Sequence, residues 1–310
     1  MINLDILRSG KIIGCGCSRF GGSMSEKEAI KTLHHCFNNG VIYYDVARSY
    51  GYGKAESIVG RFARDKRDKI ILSSKYGIDV IKSFPLRNAL ASVARLVKTY
   101  VPNTTGLIRG VANNNIQKVS FSPEMVIASL DKSLSELRTD YLDTFIYHEA
   151  NYSDFQNDDV KDVLSRQVEK GKIRVIGYNF SNQNDLQNII QTDAKPDLIQ
   201  VGYTCSDTFT KVTAVDNQIN IVYSIMSAYE KLTTAQKKAI DHERIQNENL
   251  GNFRNNLEIL LYIAYRDLKS GVLLMSTAKE NHIKRNIEIT SLTDTFEPGI
   301  SKIKSILRNS

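Results

Sequence analysis

Eight short apolar runs recur along this chain, and stretches with helical spacing or capping signals lie between them. The runs cover residues 12–16, 41–44, 69–75, 142–148, 173–177, 198–201, 221–224 and 271–275. Each is rich in β-branched or aromatic residues and short enough for a buried strand. The helical stretches cover residues 25–39, 54–65, a segment after Ser122, 160–169, 184–191, much of 233–269, and 281–288. Ser25 and Glu28 have capping-box spacing, in which each side chain satisfies the other's backbone N–H, and Gly40 stops that helix. Ser122 with Pro123 reads as an N-cap followed by a favoured first helical residue, and Met125, Leu130, Leu134 and Leu137 then recur at helical spacing. Strands alternating with helices predict parallel βα units. Eight of them in 310 residues fit a (β/α)8 TIM barrel, which takes about 250 residues.

A doubly wound sheet is the rival. That fold places a glycine-rich turn after its first strand. Here the turn reads Gly14-Cys15-Gly16-Cys17-Ser18-Arg19, without the third glycine, and Gly51-Tyr52-Gly53-Lys54-Ala55-Glu56 also misses the pattern. The barrel is therefore preferred, as one domain over 1–310. The segment 76–121 is a long insertion after the third strand, with a helix expected over 86–98, where Leu86, Leu90, Val93 and Val97 share a face.

Cys15, Cys17, Cys36 and Cys205 are too few and too scattered for a disulfide scaffold and suit a reducing compartment. Cys15 and Cys17 share a strand face and read as buried thiols. No run of about 18 apolar residues is present, so no membrane span is expected. The N-terminus lacks a signal-peptide pattern, and a cytoplasmic location is expected. The net charge is +7, and it is uneven. Between residues 80 and 123 lie Lys82, Arg87, Arg95, Lys98, Arg109 and Lys118, with no Asp or Glu. A solvated insertion and an attractor for an anionic substrate both fit such a run. Nucleic acid is not expected as a partner, because no zinc-finger spacing or RNA-recognition signature accompanies it.

In a barrel of this kind the site lies at the C-terminal ends of the strands. Asp45 ends the second run, Lys75 the third and His148 the fourth, and Tyr50 lies in the loop after Asp45. Singly, each has an ordinary reading as a cap, a solvated charge or a structural side chain. Together they make chemical sense. A phenol is a poor acid at neutral pH, and a neighbouring ammonium favours its phenolate. A carboxylate keeps that ammonium charged and placed. A histidine can orient a carbonyl oxygen toward the phenol.

The sequence Gly40-Val41-Ile42-Tyr43-Tyr44-Asp45-Val46-Ala47-Arg48-Ser49-Tyr50-Gly51, followed by Glu56 and Gly60, resembles the Asp/Tyr segment of the aldo-keto reductases. Ser74-Lys75-Tyr76-Gly77 is similar to the family's lysine segment and 140–148 to its histidine segment; 171–177 matches its fifth strand. The resemblance covers roughly residues 4 to 290, weakly over 76–121 and 226–270. It implies carbonyl reduction with NADPH, with Tyr50 as general acid, Lys75 and Asp45 supporting it, and His148 orienting the substrate. It also implies cofactor contacts at Gly16, Cys17, Asp45, Asn179, Gln200, Tyr223, Ser224, Ser276, Thr277, Lys279, His282, Arg285 and Asn286. Asn179 and Gln200 would hold the nicotinamide carboxamide, and Tyr223 would stack on the ring.

Three positions depart from the family pattern. Tyr178 stands where a serine usually precedes the asparagine. Tyr223-Ser224-Ile225-Met226 replaces a frequent Tyr-Ser-Pro-Leu. His282 falls where many members place an arginine against the adenosine 2′-phosphate, and histidine is neither bidentate nor permanently charged. Lys279, Lys284 and Arg285 are close enough in sequence to compensate, and a helix starting near Glu280 would favour a phosphate. NADPH is therefore the expected cofactor, with NADH possible. The expected substrate is a small carbonyl compound, anionic if the basic insertion faces the site. A dehydrogenase working in the oxidising direction and a cofactor-binding, redox-reporting subunit are the alternatives.

Overall fold

The structure, a computed structural model, describes residues 2–80, 116–119, 121–204, 206–292 and 296–308. All eight expected strands form. They are β1 (Lys11–Gly16), β2 (Tyr43–Asp45), β3 (Ile71–Tyr76), β6 (Leu142–Tyr147), β7 (Ile173–Phe180), β8 (Leu198–Gly202), β9 (Ile219–Tyr223) and β10 (Gly271–Met275). They close into a barrel of order β1-β10-β9-β8-β7-β6-β3-β2. Pairing is parallel at β2–β3, β3–β6, β6–β7, β8–β9 and β9–β10. The expected (β/α)8 barrel is thus the observed fold. A barrel buries one face of each strand in its interior and the other under helices; β3 and β6 are buried at every residue, their polar Ser73, Ser74, Lys75, Asp143 and Thr144 included.

The described residues fall into two compact units. One takes in Ile2 and the described residues from Cys15 to Asn179, the other Asn3–Gly14 and the described residues from Phe180 to Arg308. In the first, the helix Glu26–Asn38 opens on the expected capping box: Glu28 N–H donates to Ser25 Oγ at 3.3 Å, and Ser25 N–H donates to Glu28 Oε2 at 2.9 Å. The helix Pro123–Leu137 starts on Ser122 as read from sequence and ends on Arg138 in a left-handed conformation, φ 55°. Cys15, Cys17 and Cys36 are all buried free thiols. Asp143, near the start of β6, is 1% exposed and ion-paired to Arg67 at 2.8 Å and Arg174 at 2.6 Å.

In the second unit, the stretch expected to be helical over much of 233–269 divides. Thr234–Gln246 and Asn256–Asp267 are separate helices, because Asn255 caps the second one and Gly251 lies in the turn between them. A terminal helix, Glu297–Arg308, was not expected. It buries Ile300, Ile303 and Leu307 and packs on Thr234–Gln246, where Gln236 Nε2 donates to the Ile306 carbonyl at 3.1 Å.

The insertion begins as an antiparallel pair that the sequence reading did not anticipate. β4 (Ile78–Val80) pairs with β5 (Ile116–Lys118), in register Asp79 to Gln117. The helix expected over 86–98 lies outside the described residues, as do Lys82, Arg87, Arg95, Lys98 and Arg109. Among the described residues, no helix is long and apolar enough to cross a membrane.

Candidate active site

Asp45 is the last residue of β2, Lys75 the penultimate residue of β3, and His148 directly follows β6. Successive residues of a strand face opposite ways, and pairing β2–β3–β6 in parallel brings these ends together. Lys75 Nζ lies 2.5 Å from Asp45 Oδ2, 3.1 Å from the Tyr50 hydroxyl and 3.2 Å from the Val46 carbonyl. Asp45 and Lys75 are 2% and 1% exposed, whereas Tyr50 is part-exposed. The Tyr50 and His148 rings meet edge to face, centroids 5.8 Å apart. The four residues expected to act together are therefore brought together.

The electrostatics follow from burial. Desolvation works against the Lys75 ammonium, but the Asp45 carboxylate and the Tyr50 oxygen outweigh it and hold its pKa above the ordinary lysine value. His148 goes the other way. Burial, with the Lys75 charge second, lowers its pKa from 6.5 to about 3, so the imidazole is neutral at physiological pH. Its Nδ1 is buried and has no hydrogen-bond partner among the described residues.

Tyr50 opens a tight turn, Tyr50–Gly53, in which Gly51, Tyr52 and Gly53 all have positive φ (57°, 57° and 83°). A Cβ at Gly51 would stand 1.8 Å from the Phe20 carbonyl oxygen, so only glycine fits. Beneath the turn, Arg48 and Glu56 form a buried ion pair at 3.0 Å. Arg48 lies inside the Asp/Tyr segment and Glu56 just after it, yet the sequence alone gives them no role. The one available signal was a pair of opposite charges flanking the tyrosine in an otherwise buried segment.

On the opposite face of the same strand ends, Tyr76, Tyr147 and Tyr178 sit in register on β3, β6 and β7. Their rings contact in sequence, at centroid distances of 4.7 and 4.3 Å. Each is adjacent in sequence to one of Lys75, His148 and Asn179. Tyr178, the departure from the family's serine, belongs to this ladder. Asn179 is 3% exposed, and its Oδ1 accepts from Glu149 N–H at 3.2 Å. Cys17 is buried, its N–H donates to the Asp45 carbonyl at 2.8 Å, and its thiol lies 3.6 Å from the Cys15 carbonyl oxygen. Gly16 is the last residue of β1.

In the second unit, Gln200 is buried on β8, and Tyr223 ends β9 opposite Gly202. Ser224 follows in a left-handed conformation, φ 65°. Ser276 and Thr277 follow β10. Lys279 is the N-cap of the helix Glu280–Thr290, and Lys279, His282 and Lys284 on its first turns are exposed. Thr277 Oγ1 lies 3.5 Å from His282 Nδ1, and Lys284 pairs with Glu280 at 2.9 Å. Arg285 is ion-paired within the protein. Its guanidinium is held by Glu258 at 2.8 Å and Glu288 at 3.4 Å. Asn286 Nδ2 lies 3.7 Å from Met275 Sδ.

A model of the Aldo/keto reductase family matches residues 12–296. The chain belongs to that family. Aldo-keto reductase YhdN of Bacillus subtilis (strain 168) is 28% identical over 176 residues, which are 54% of this chain and 43% of YhdN. The NADH-specific methylglyoxal reductase of Escherichia coli (strain K12) is 24% identical over 195 residues, 62% of this chain and 53% of that protein. The matched stretch thus spans about half the length of these two relatives. Among solved structures, the holo form of aldo-keto reductase AKR11C1 from Bacillus halodurans superposes with a TM-score of 0.71 at 17% identity, covering 96% of this chain and 92% of that one. An aldo/keto reductase from Klebsiella pneumoniae in complex with NADP and acetate superposes with a TM-score of 0.64 at 18% identity, covering 95% and 90%.

Proposed function

We propose that this chain is an NAD(P)H-dependent oxidoreductase that reduces an aldehyde or ketone to an alcohol, with Tyr50 as the proton donor. One observation carries the reading: a buried lysine ammonium lies between a buried carboxylate and the hydroxyl of a part-exposed tyrosine. Asp45 keeps Lys75 charged. Lys75 favours the phenolate that Tyr50 becomes once it has given up its proton. The neutral His148 imidazole has a hydrogen bond to give to the carbonyl oxygen, which holds that oxygen toward Tyr50. When bound, the reduced nicotinamide supplies the hydride.

The residues present suit such a cofactor. The first unit holds a buried amide at Asn179; the second holds a buried amide at Gln200 and a ring at Tyr223, at the end of β9. Lys279, His282 and Lys284 present donors on an exposed helix start, which suits a phosphate. NADPH is the cofactor proposed. With Arg285 tied to Glu258, its preference over NADH rests on the two lysines, and NADH remains a usable substitute.

The test is a screen of reduced-nicotinamide oxidation against aldehydes, ketones and anionic carbonyl compounds, with Tyr50→Phe beside the unmodified protein. Turnover that falls by at least about 100-fold in Tyr50→Phe while cofactor binding is kept supports the assignment. Equal turnover in the two proteins sinks it. The substrate is proposed to be anionic, on the charge of the insertion. Neutralising Arg87, Arg95, Lys98 and Arg109 then raises KM for such substrates and leaves neutral aldehydes unaffected; an unchanged KM returns the insertion to a solvated loop.

A further inference from the structure

The turn that carries Tyr50 cannot hold itself. Three successive residues with positive φ, one of them Tyr52, form a conformation that persists only where the surroundings enforce it. The surroundings in question are a buried cluster of charges that the chemistry above does not use. Arg48, two residues before Tyr50, is 4% exposed. Its NH1 donates to Glu56 Oε2 at 3.0 Å, and its NH2 donates to both oxygens of Asp79 at 3.2 Å. Glu56, 3% exposed, accepts at its other oxygen from Ser74 Oγ at 2.6 Å. Ser74 is the residue before Lys75.

A single carboxylate therefore grips both chain segments whose side chains must meet, the Tyr50 loop through Arg48 and the Lys75 strand through Ser74. The second edge of the same guanidinium grips Asp79, which sits at the centre of β4, the first strand of the insertion. β4 also packs against the Tyr50–Gly53 turn. A guanidinium is suited to this task, because its planar fork can serve two carboxylates at once, whereas an ammonium is a point charge. Isolated, these are ordinary contacts: one buried ion pair, one part-exposed ion pair and one buried hydroxyl–carboxylate hydrogen bond. Their arrangement is not ordinary: the three anchors are the Tyr50 loop, the Lys75 strand and the stem of the insertion.

We infer that Arg48 and Glu56 are positioning residues that set the separation of the Tyr50 hydroxyl from Lys75 Nζ, and that Asp79 couples the stem of the insertion to that separation. The inference rests on the assignment of Tyr50 as proton donor. None of the three residues touches the reacting atoms; each acts through Tyr50 and Lys75.

The chain has no tryptophan, so tyrosinate absorbance can be titrated directly. The titration of the unmodified protein minus that of Tyr50→Phe gives the Tyr50 step alone. The same subtraction is made in an Arg48→Lys background and in an Asp79→Asn background. Loosening the clasp weakens the hold of the ammonium on the phenolate, so the Tyr50 step moves up by about one pH unit in Arg48→Lys and by less in Asp79→Asn. An unmoved step in both overturns the inference. If Arg48→Lys fails to fold, Asp79→Asn decides, since Asp79 is part-exposed and its change leaves the buried Arg48–Glu56 pair in place. Turnover of para-nitrobenzaldehyde with NADPH supplies a second readout. In Arg48→Lys, kcat falls by about 10- to 100-fold with KM unchanged; a change confined to KM counts against positioning. Full turnover in Tyr50→Phe would instead remove the carbonyl-reductase reading, whatever the titrations show.

Discussion

Lys75 is buried and His148 half-buried at adjacent strand ends, and the two are pushed in opposite directions by their surroundings. Lys75 has a carboxylate and is held charged; His148 has none and is held neutral. This has a pH consequence with a definite sign. In the unfolded chain a histidine takes up a proton near 6.5, but folded His148 does so only near 3. Between those values the unfolded state binds more protons, so the stability contribution is complete above about pH 6.5 and is lost as pH falls toward 3. Chemical denaturation across that window is expected to show a steeper acid loss for the unmodified protein than for His148→Gln. Parallel curves would mean the imidazole is not held neutral. By the same token, kcat is expected to show no inflection from His148 near pH 6.5.

The elements show which sequence signals act locally and which do not. The capping box at Ser25 and the cap at Ser122 were legible because a cap is written in three or four consecutive residues. Ser25→Ala is expected to cost about 1 kcal/mol in a denaturant melt. The Tyr50–Gly53 turn is a stricter case. Gly51→Ala places a methyl against the Phe20 carbonyl in a backbone conformation that disfavours side chains. It is expected to destabilise by about 1–3 kcal/mol or more and to lower kcat disproportionately, because the displaced element carries Tyr50. Activity falling only in step with the melting temperature would contradict the second part.

What was not legible depended on distant partners. The β4–β5 pair joins residues almost forty positions apart, so no local periodicity announces it. Arg48 and Glu56 could be read as a charged pair, but their link to Ser74 and Asp79 appears only once β3 and β4 are placed. Arg285 looked available in sequence, and only the fold turns it toward Glu258. The last helix, Glu297–Arg308, was the exception: Ile300, Ile303 and Leu307 already had the spacing.

At the scale of the molecule, the strand order is that of a closed eight-stranded barrel, and a family match over 12–296 accompanies it. Barrel and strand-end residues were legible because eight repeated βα signals constrain topology far more than any one of them. Charge is a property of the same scale. With a net charge of +7 and a segment free of acids at 80–123, association with an anionic carbonyl compound should weaken as salt rises, since a Debye length shrinks from about 10 Å at 0.1 M to about 3 Å at 1 M. kcat/KM for an anionic substrate is expected to fall with ionic strength while that for a neutral aldehyde stays level; parallel behaviour would dissociate the charge from substrate capture.

The tyrosine ladder gives these experiments an optical handle. With tryptophan absent, the near-ultraviolet circular dichroism of this chain comes largely from its phenols and phenyl rings. Tyr76, Tyr147 and Tyr178, packed within 5 Å of one another in succession, should couple as chromophores in a way that isolated tyrosines do not. Each is chained by one peptide bond to Lys75, His148 or Asn179. The change in the dichroic band when one ladder tyrosine is replaced by phenylalanine therefore reports that ring's packing beside its strand end. A variant whose far-ultraviolet spectrum is intact but whose tyrosine band has collapsed has kept its secondary structure and lost the fixed packing of its aromatic side chains, the ladder among them.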